Sequence, residues 1–384
     1  MPSEKIKILH FVHSLNEGGI ERLLLEICRK INRDKFEIQI CCLYEKGIIA
    51  ELFVKEGVMI HSLQAERNFS TVNVFRNISV LFKIIKIIRS EKINITHGHE
   101  FYSAVFSRLS GFLAGADKNY VTLHNMYYWW NKKIHFINRL LSHITDGIIC
   151  NSIASMEYSL EHDKISETKY LLIYNGIDCS IFTPDFSRKN LLYSEYNIDI
   201  TRKIIMTVGS ISHRKGYEYL IEAFKDVSQD CNELVLIIAG SRHYNEDDYY
   251  AKITWLIHKY GLNDRVIITG RRNDISLILN SCDYFIMTSV AEGFGLALAE
   301  AMASGKVCMV SDIPAFSEIL QDNVNGYLFR SGDIKSIADT VRNVLGKDEI
   351  TLDKIRQNAR QRISENFSSE KMIKEYENLY SGEI

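Results

Sequence analysis

Glu292 and Glu300 stand on either side of a Gly293-Phe294-Gly295 turn in the segment TSVAEGFGLALAEAMASG, residues 288–305. The turn opens a helix stopped by Gly305. Its freed backbone N–H groups, around Phe294–Leu296, can hold phosphate oxygens or sugar hydroxyls. A carboxylate beside them, Glu292, suits hydroxyls rather than phosphate, because like charges repel. Glu300 falls inside the apolar stretch LALAEAMA, where an unpartnered carboxylate is costly to bury. A ribose diol would partner it, and so would a structural Lys or Arg. Arg214 and Lys215 form a second candidate, between a strand end and Gly216. An adjacent guanidinium and ammonium suit a diphosphate, although a solvated loop has the same composition. Gly18-Gly19 lets backbone approach an anion at a helix N-terminus, or simply makes a tight turn. His97-Gly98-His99 has the look of a metal pair, but no carboxylate or third ligand keeps company with it in the sequence. His99 is read instead as lining the acceptor side. No Asp-x-Asp occurs in the chain, so neither a metal bridging donor phosphates nor any cofactor is expected.

These residues need elements to position them. Short β-branched runs alternate with helical periodicity, giving strands at Ile6–Val12, Phe36–Leu43, Val58–Leu63, Ile93–His97, Tyr120–Leu123, Gly147–Cys150 and Tyr170–Ile173. A second series covers Lys203–Val208, Leu234–Ala239, Val266–Thr269, Tyr284–Met287 and Val307–Val310. Amphipathic stretches such as Ile20–Ile31 and Val74–Ile88 lie between. The alternation predicts parallel sheets covered on both faces: an α/β protein of two Rossmann-like, doubly wound domains facing a cleft. The joint is placed in Asn175–Asn197, giving domains 1–182 and 183–367, with a last helix over 368–384 packing back on the first domain. In such sheets ligands bind beyond the carboxyl ends of the strands, which is where the candidate residues lie.

A length of 384 residues suits two domains, and 46% hydrophobic with 24% charged content is that of a soluble protein. The net charge of -2 gives no reason to expect nucleic acid. Residues 1–182 hold 22 Lys+Arg against 19 Asp+Glu, a mildly basic half that could face something anionic or merely reflect scattered surface charge. The eight cysteines show no CxxC spacing, which predicts free thiols in a reducing cytoplasm. The N-terminus runs straight into a strand without a signal-peptide pattern, and no apolar run is long enough to span a bilayer.

With Glu292, Glu300, GFG and EAMASG in place, the chain resembles the family 4 retaining glycosyltransferases of GT-B fold, bacterial polysaccharide and lipopolysaccharide type. Seven further marks occur in order: NEGGIERLLLEI, the VTLH strand end, YNGIDCSIFTP, the VGS…RKG loop, ITGRRNDI, and the SDIPAFSEI and NGYLF stretches. The resemblance implies sugar transfer from a nucleotide-diphosphate donor, UDP-sugar favoured and GDP-mannose allowed, to a glycan or lipid-linked saccharide. It implies that Arg214 and Lys215 neutralise the diphosphate, Glu292 binds the transferred sugar, Glu300 the ribose, and the backbone of Gly293, Phe294, Gly295 and Leu296 the sugar and phosphates. Gly18 and Gly19 would close over the diphosphate. His124 would sit near the anomeric carbon or the sugar's primary hydroxyl, and Arg271, after Gly270, by the base. Many members carry Arg where this chain has Ser210, so that either one phosphate contact is missing here or Arg214 supplies it. A nucleotide-sugar epimerase of the same fold, or a non-catalytic nucleotide-sugar-binding protein, is the alternative.

Four consecutive aromatics, Tyr127 to Trp130, precede a basic amphipathic stretch that opens with Lys132 and Lys133. Tyr128, Trp129 and Trp130 with the two lysines fit a membrane–water interface, which points to peripheral association with the inner membrane face; packing against the core or an oligomer partner is the competing reading.

Overall fold

The computed structural model describes residues 4–16, 18–65, 71–124, 132–243 and 246–383; the side chains of 71–76 and of 186 lie outside the description. The chain divides into two compact units, Met1–Gly176 with Ser369–Ile384, and Ile177–Ser368.

In the first unit the described residues form a seven-stranded sheet: β1 (Ile6–Val12), β2 (Phe36–Cys42), β3 (Met59–Ser62), β4 (Ile95–His99), β5 (Lys118–Leu123), β6 (Gly147–Cys150) and β7 (Tyr170–Leu172). Its order is β3-β2-β1-β4-β5-β6-β7, parallel throughout. The second unit's sheet holds β8 (Lys203–Val208), β9 (Leu234–Ala239), β10 (Val266–Ile268), β11 (Tyr284–Met287), β12 (Val307–Ser311) and β13 (Tyr327–Phe329). Its order is β10-β9-β8-β11-β12-β13, also parallel. Helices on both faces bury the strands, which is why β9 reads as the unbroken apolar run LVLIIA, with every side chain buried.

Strand order reverses between β1 and β4 in one unit and between β8 and β11 in the other. The crevice beyond those strand ends is the natural ligand position of a doubly wound sheet.

The C-terminal helix Ser369–Ser381 belongs to the first unit. Its Met372, Ile373, Tyr376, Leu379 and Tyr380 join the core built from β1, β2 and the helix Gly19–Lys30. Lys30 Nζ fixes its start through Ser369 Oγ at 2.8 Å and Glu370 at 2.9 Å. The divide runs at Gly176/Ile177, ahead of the expected joint at 182/183, because the Ile177 N–H already bonds the Phe367 carbonyl of the second unit at 2.8 Å.

β4 starts and ends later than the apolar pattern predicts. Its register on β1, Ile8 opposite Ile95 and His10 opposite His97, draws Gly98 and His99 into the strand and leaves Ile93 before it. β13, three residues at a sheet edge, is missed by the strand reading above.

Candidate functional site

The second unit gathers its charged candidates at the β8/β11 switch. After β8 the chain turns at Gly209 (φ 149°) and reaches Gly216 (φ 61°), the N-cap of the helix Tyr217–Asp230. A Cβ on Gly216 would fall 2.4 Å from the Thr288 carbonyl oxygen, so only glycine lets this loop lie against the end of β11. The two loops are then stitched together. The Thr288 hydroxyl donates to the Lys215 and Gly216 carbonyls at 3.1 and 3.0 Å, and the Val290 N–H to the Arg214 carbonyl at 2.9 Å.

That stitching brings both cations onto one carboxylate. Lys215 Nζ lies 2.6 Å from Glu292 Oε1, Arg214 Nη1 bonds Glu292 Oε2, and the Ser289 hydroxyl donates to Oε1 at 2.9 Å. Glu292 is buried, and burial alone would raise its pKa. The fields of Lys215 and Arg214, with the hydrogen bonds from Lys215 and Ser289, overcome this and hold it down at about 2. Arg214 also donates to the Ala291 carbonyl at 3.1 Å. Before any ligand arrives, then, the two cations are partnered by Glu292.

Around this cluster, Gly295 (φ 113°) caps the helix Leu296–Ala303, and a Cβ there would strike the Phe316 ring at 2.8 Å. Gly293 and Phe294 are buried, Leu296 and Glu300 half-buried. Ser210 is half-buried just past β8. Gly270 (φ 71°) and the exposed Arg271 follow β10 at the sheet edge, away from the switch in strand order. Its neighbour Arg272 is held by Glu195 and Asp274.

In the first unit Gly18 caps the helix Gly19–Lys30 beyond β1, with Gly18 half-buried and Gly19 exposed. His124 stands just past β5, buried, with its Nε2 2.9 Å from His99 Nδ1. Beyond β4, Glu100 takes a backbone conformation (φ 63°, ψ 161°) that glycine favours. For a side-chain-bearing residue that costs on the order of 1–3 kcal/mol and occurs mainly at functional sites. Its Oε2 is 3.0 Å from Nδ1 of His13, which follows β1, so this pair straddles the β1/β4 switch.

Two readings from the sequence need correction. His99 does not line an acceptor site: it is 1% exposed, and both ring nitrogens are taken, Nδ1 by His124 and Nε2 by His10 at 2.9 Å. Nor is the His97-Gly98-His99 pair without a third ring, because β1 places His10 beside both, the nitrogens of the three lying within 4.8 Å of one another. His10, Glu100, Thr122 and Tyr380 are the residues the sequence reading missed. For His10 and Thr122 the signal that could have found them is polar residues in otherwise apolar central strands. Lys132 and Lys133 are exposed at the start of the helix Lys132–Leu141. Tyr128, Trp129 and Trp130 lie outside the described residues.

Two Rossmann-like units, with charged and imidazole side chains at the ends of their central strands, define a protein of the GT-B class. Residues 17–181 match the family described as Glycosyltransferase Family 4, and residues 191–362 that described as Glycosyl transferases group 1. The chain belongs to the family 4 glycosyltransferases. It is 25% identical to the UDP-Gal:alpha-D-GlcNAc-diphosphoundecaprenol alpha-1,3-galactosyltransferase of Escherichia coli, across 98% of this chain and 97% of the relative. It is 24% identical, across 88% and 90%, to a Campylobacter jejuni N-acetylgalactosamine-N,N'-diacetylbacillosaminyl-diphospho-undecaprenol 4-alpha-N-acetylgalactosaminyltransferase. Among solved structures, Anabaena HepE in complex with UDP and glucose shares the fold, with a TM-score of 0.87, 21% identity, and 98% and 99% of the two chains covered.

Proposed function

We propose that this glycosyltransferase moves a sugar from a nucleotide-diphosphate donor, UDP-sugar favoured, to a hydroxyl of a lipid-linked saccharide or glycan, with retention of configuration and without a divalent metal. The product would serve a bacterial cell-surface polysaccharide.

The observation that carries this reading is the Arg214–Glu292–Lys215 cluster at the second sheet's switch. Two cations share one carboxylate, so a diphosphate can draw on either cation without leaving Glu292 buried and unpaired. As the nucleoside diphosphate departs, negative charge grows on its phosphate, and fixed cations beside buried walls stabilise that charge. With those cations present and no Asp-x-Asp, the leaving group needs no bridging ion. In a front-face reaction the acceptor oxygen bonds the anomeric carbon as the bond from that carbon to the phosphate oxygen breaks. The acceptor's proton passes to the departing phosphate.

In this scheme the sugar's hydroxyls meet Glu292 and the backbone of 293–296, the ribose meets Glu300, and the base lies by Gly270 and Arg271. Ser210 lies beside the phosphate contact that Arg214 supplies. Gly18 and Gly19 cover the diphosphate, and His124 meets the transferred sugar.

The two curated relatives cover nearly the whole chain, and their names specify diphosphoundecaprenol-linked acceptors, one with UDP-Gal as donor. That supports a UDP-sugar and a lipid diphosphate here. No helix among the described residues is long and apolar enough to cross a membrane. The helix Lys132–Leu141 offers a peripheral contact instead. Phe136 (67% exposed) and Leu140 (61%) share a face with Lys133, suited to headgroups and the acyl boundary. Its underside is anchored: Asn138 accepts from the buried Arg108 at 2.7 Å and donates to Asp163 at 2.5 Å.

Thermal melts with a panel of nucleotide sugars, followed by transfer to polyprenyl-diphosphate-linked sugars, test the proposal. A donor that binds the folded state raises the melting temperature by mass action, and its label then moves into the lipid fraction. A panel in which no nucleotide sugar shifts the melt removes the donor site.

A further inference from the structure

Beneath His124, three adjacent strands and the C-terminal helix of the first unit share a continuous chain of polar side chains. His124 Nε2 bonds His99 Nδ1, and His99 Nε2 bonds His10 Nδ1, each at 2.9 Å. His10 Nε2 lies 3.5 Å from the Tyr380 hydroxyl, which is 2.7 Å from His97 Nδ1, and His97 Nε2 is 2.7 Å from Thr122 Oγ1. Centroids of the His10/His99 and His99/His124 pairs are 5.2 Å apart, with planes tilted by 17° and 31°, as for imidazoles joined edge to edge.

A neutral imidazole has one N–H and one lone pair. Since His10 and His99 are each bonded at both nitrogens, each donates at one and accepts at the other, so the His10–His99–His124 bonds run the same way and neither ring can change tautomer alone. The direction is set at the His124 end. Glu100 follows β4 as His124 follows the neighbouring parallel strand β5, so its carboxylate, held by His13, stands at the same strand end as His124, with His99, His10 and His97 inside the strands. N–H dipoles pointing toward that carboxylate are favoured. Thr122 then donates to His97, His97 to Tyr380, Tyr380 to His10, His10 to His99, and His99 to His124.

We propose that His99, His10 and Tyr380 are positioning residues that lock His124 in the tautomer protonated at Nδ1, so that it offers a fixed hydrogen-bond donor to an oxygen of the donor sugar or its phosphate. Only the last clause rests on the transferase reading. Burial keeps the rings neutral, lowering His10 to about 3, His124 to about 4, and His97 and His99 well below the ordinary 6.5. A metal held by His10, His97 and His99 fits less well. Their planes are tilted by only 17–31° and their nitrogens bond one another, Tyr380, His124 and Thr122, so the lone pairs do not converge on one point.

Imidazole 15N spectra of the full-length protein, with His99→Leu, His99→Asn and Tyr380→Phe beside wild type, test this without any substrate. Wild type is expected to show His124 protonated at Nδ1 alone, and His99→Leu a mixture of tautomers. Asn keeps an amide where Nδ1 stood and retains the wild-type pattern. In transfer assays His99→Leu lowers kcat by roughly fivefold to tenfold with donor KM little changed, the effect of one hydrogen bond made in the reacting complex. Tyr380→Phe, which keeps the ring, shows a weaker form of both effects. A wild-type His124 protonated at Nε2 or mixed, or a folded His99→Leu identical to wild type in spectrum and kcat, overturns the proposal. One equivalent of Zn2+ shifting His10, His97 and His99 together makes the cluster a metal site instead. Should no transfer be found with any donor, the spectra still decide the tautomer, so the two readings fail separately.

Discussion

Lys215 lies across the face of Gly209. A Cβ added to Gly209 would fall 2.9 Å from Lys215 Cε and 3.1 Å from Nζ, at a backbone φ of 149°. The bare glycine is what allows the ammonium to reach Glu292. Gly209→Ala is therefore expected to push Lys215 aside and weaken the binding of a nucleoside diphosphate roughly tenfold, a charge-assisted contact being worth about 1.5–3 kcal/mol. Calorimetric titration with UDP checks it; unchanged affinity in a folded variant would mean that Lys215 does not touch the phosphates.

Lys215→Ala and Glu292→Gln should separate the two halves of the cluster. The first loses diphosphate affinity but leaves Glu292 paired with Arg214. The second keeps the cations and loses the carboxylate assigned to the sugar, so turnover falls further than affinity for the bare nucleotide. It also leaves two part-buried cations short of a partner, a stability loss of roughly 1–3 kcal/mol. Equal losses of turnover and nucleotide affinity in Glu292→Gln would place Glu292 on the phosphates.

Much of this was legible in the sequence. The alternation of β-branched runs with amphipathic stretches gave two doubly wound sheets, and Gly147–Cys150, Lys203–Val208, Leu234–Ala239 and Tyr284–Met287 coincide with the observed strands. The turn and helix carrying Glu292 and Glu300, and the RKG loop, could be found because each is a local strand–loop–helix signal. That Glu292 partners Arg214 and Lys215 was not legible, since it depends on β8 and β11 lying side by side. The imidazole chain was hidden for the same reason on a larger scale. His10 meets His99 across 89 positions and Tyr380 meets His97 across 283, and no periodicity reports such pairings. His99 was misjudged because a polar residue after a strand usually faces solvent, whereas β4 extends to include it.

Acid should destabilise the first unit earlier than carboxylate titration alone would. His10 and His124 titrate at about 3 and 4 when folded and near 6.5 when unfolded, so the unfolded chain binds more protons in that window. Their contribution is intact above pH 6.5 and is lost progressively as pH falls toward 4. Each pH unit below 6.5 costs about 1.4 kcal/mol per ring. Urea unfolding at pH 7, 6 and 5 reads this directly, with the midpoint dropping at each step. A midpoint that is flat from pH 7 to 5 would contradict neutral burial of these histidines.

Flotation with vesicles tests the helix Lys132–Leu141. Wild type should rise with anionic vesicles at low salt and less so at high salt, because exposed charges are screened. Phe136→Ser with Leu140→Ser should abolish flotation without loss of fold, both side chains being more than half exposed. Wild type that stays at the bottom with anionic and neutral vesicles alike would favour a soluble acceptor.

The central claim is metal-independent transfer with retention from a nucleotide sugar to a lipid-linked saccharide. The most direct measurement is the anomeric proton coupling of the product formed in excess EDTA from an α-linked UDP-sugar, with a sugar-diphosphoundecaprenol acceptor and the donor chosen by the thermal melts. The account predicts undiminished turnover and an α-glycoside. A β-glycoside would contradict front-face attack, and turnover lost in EDTA and restored by manganese would contradict the role given to Arg214 and Lys215.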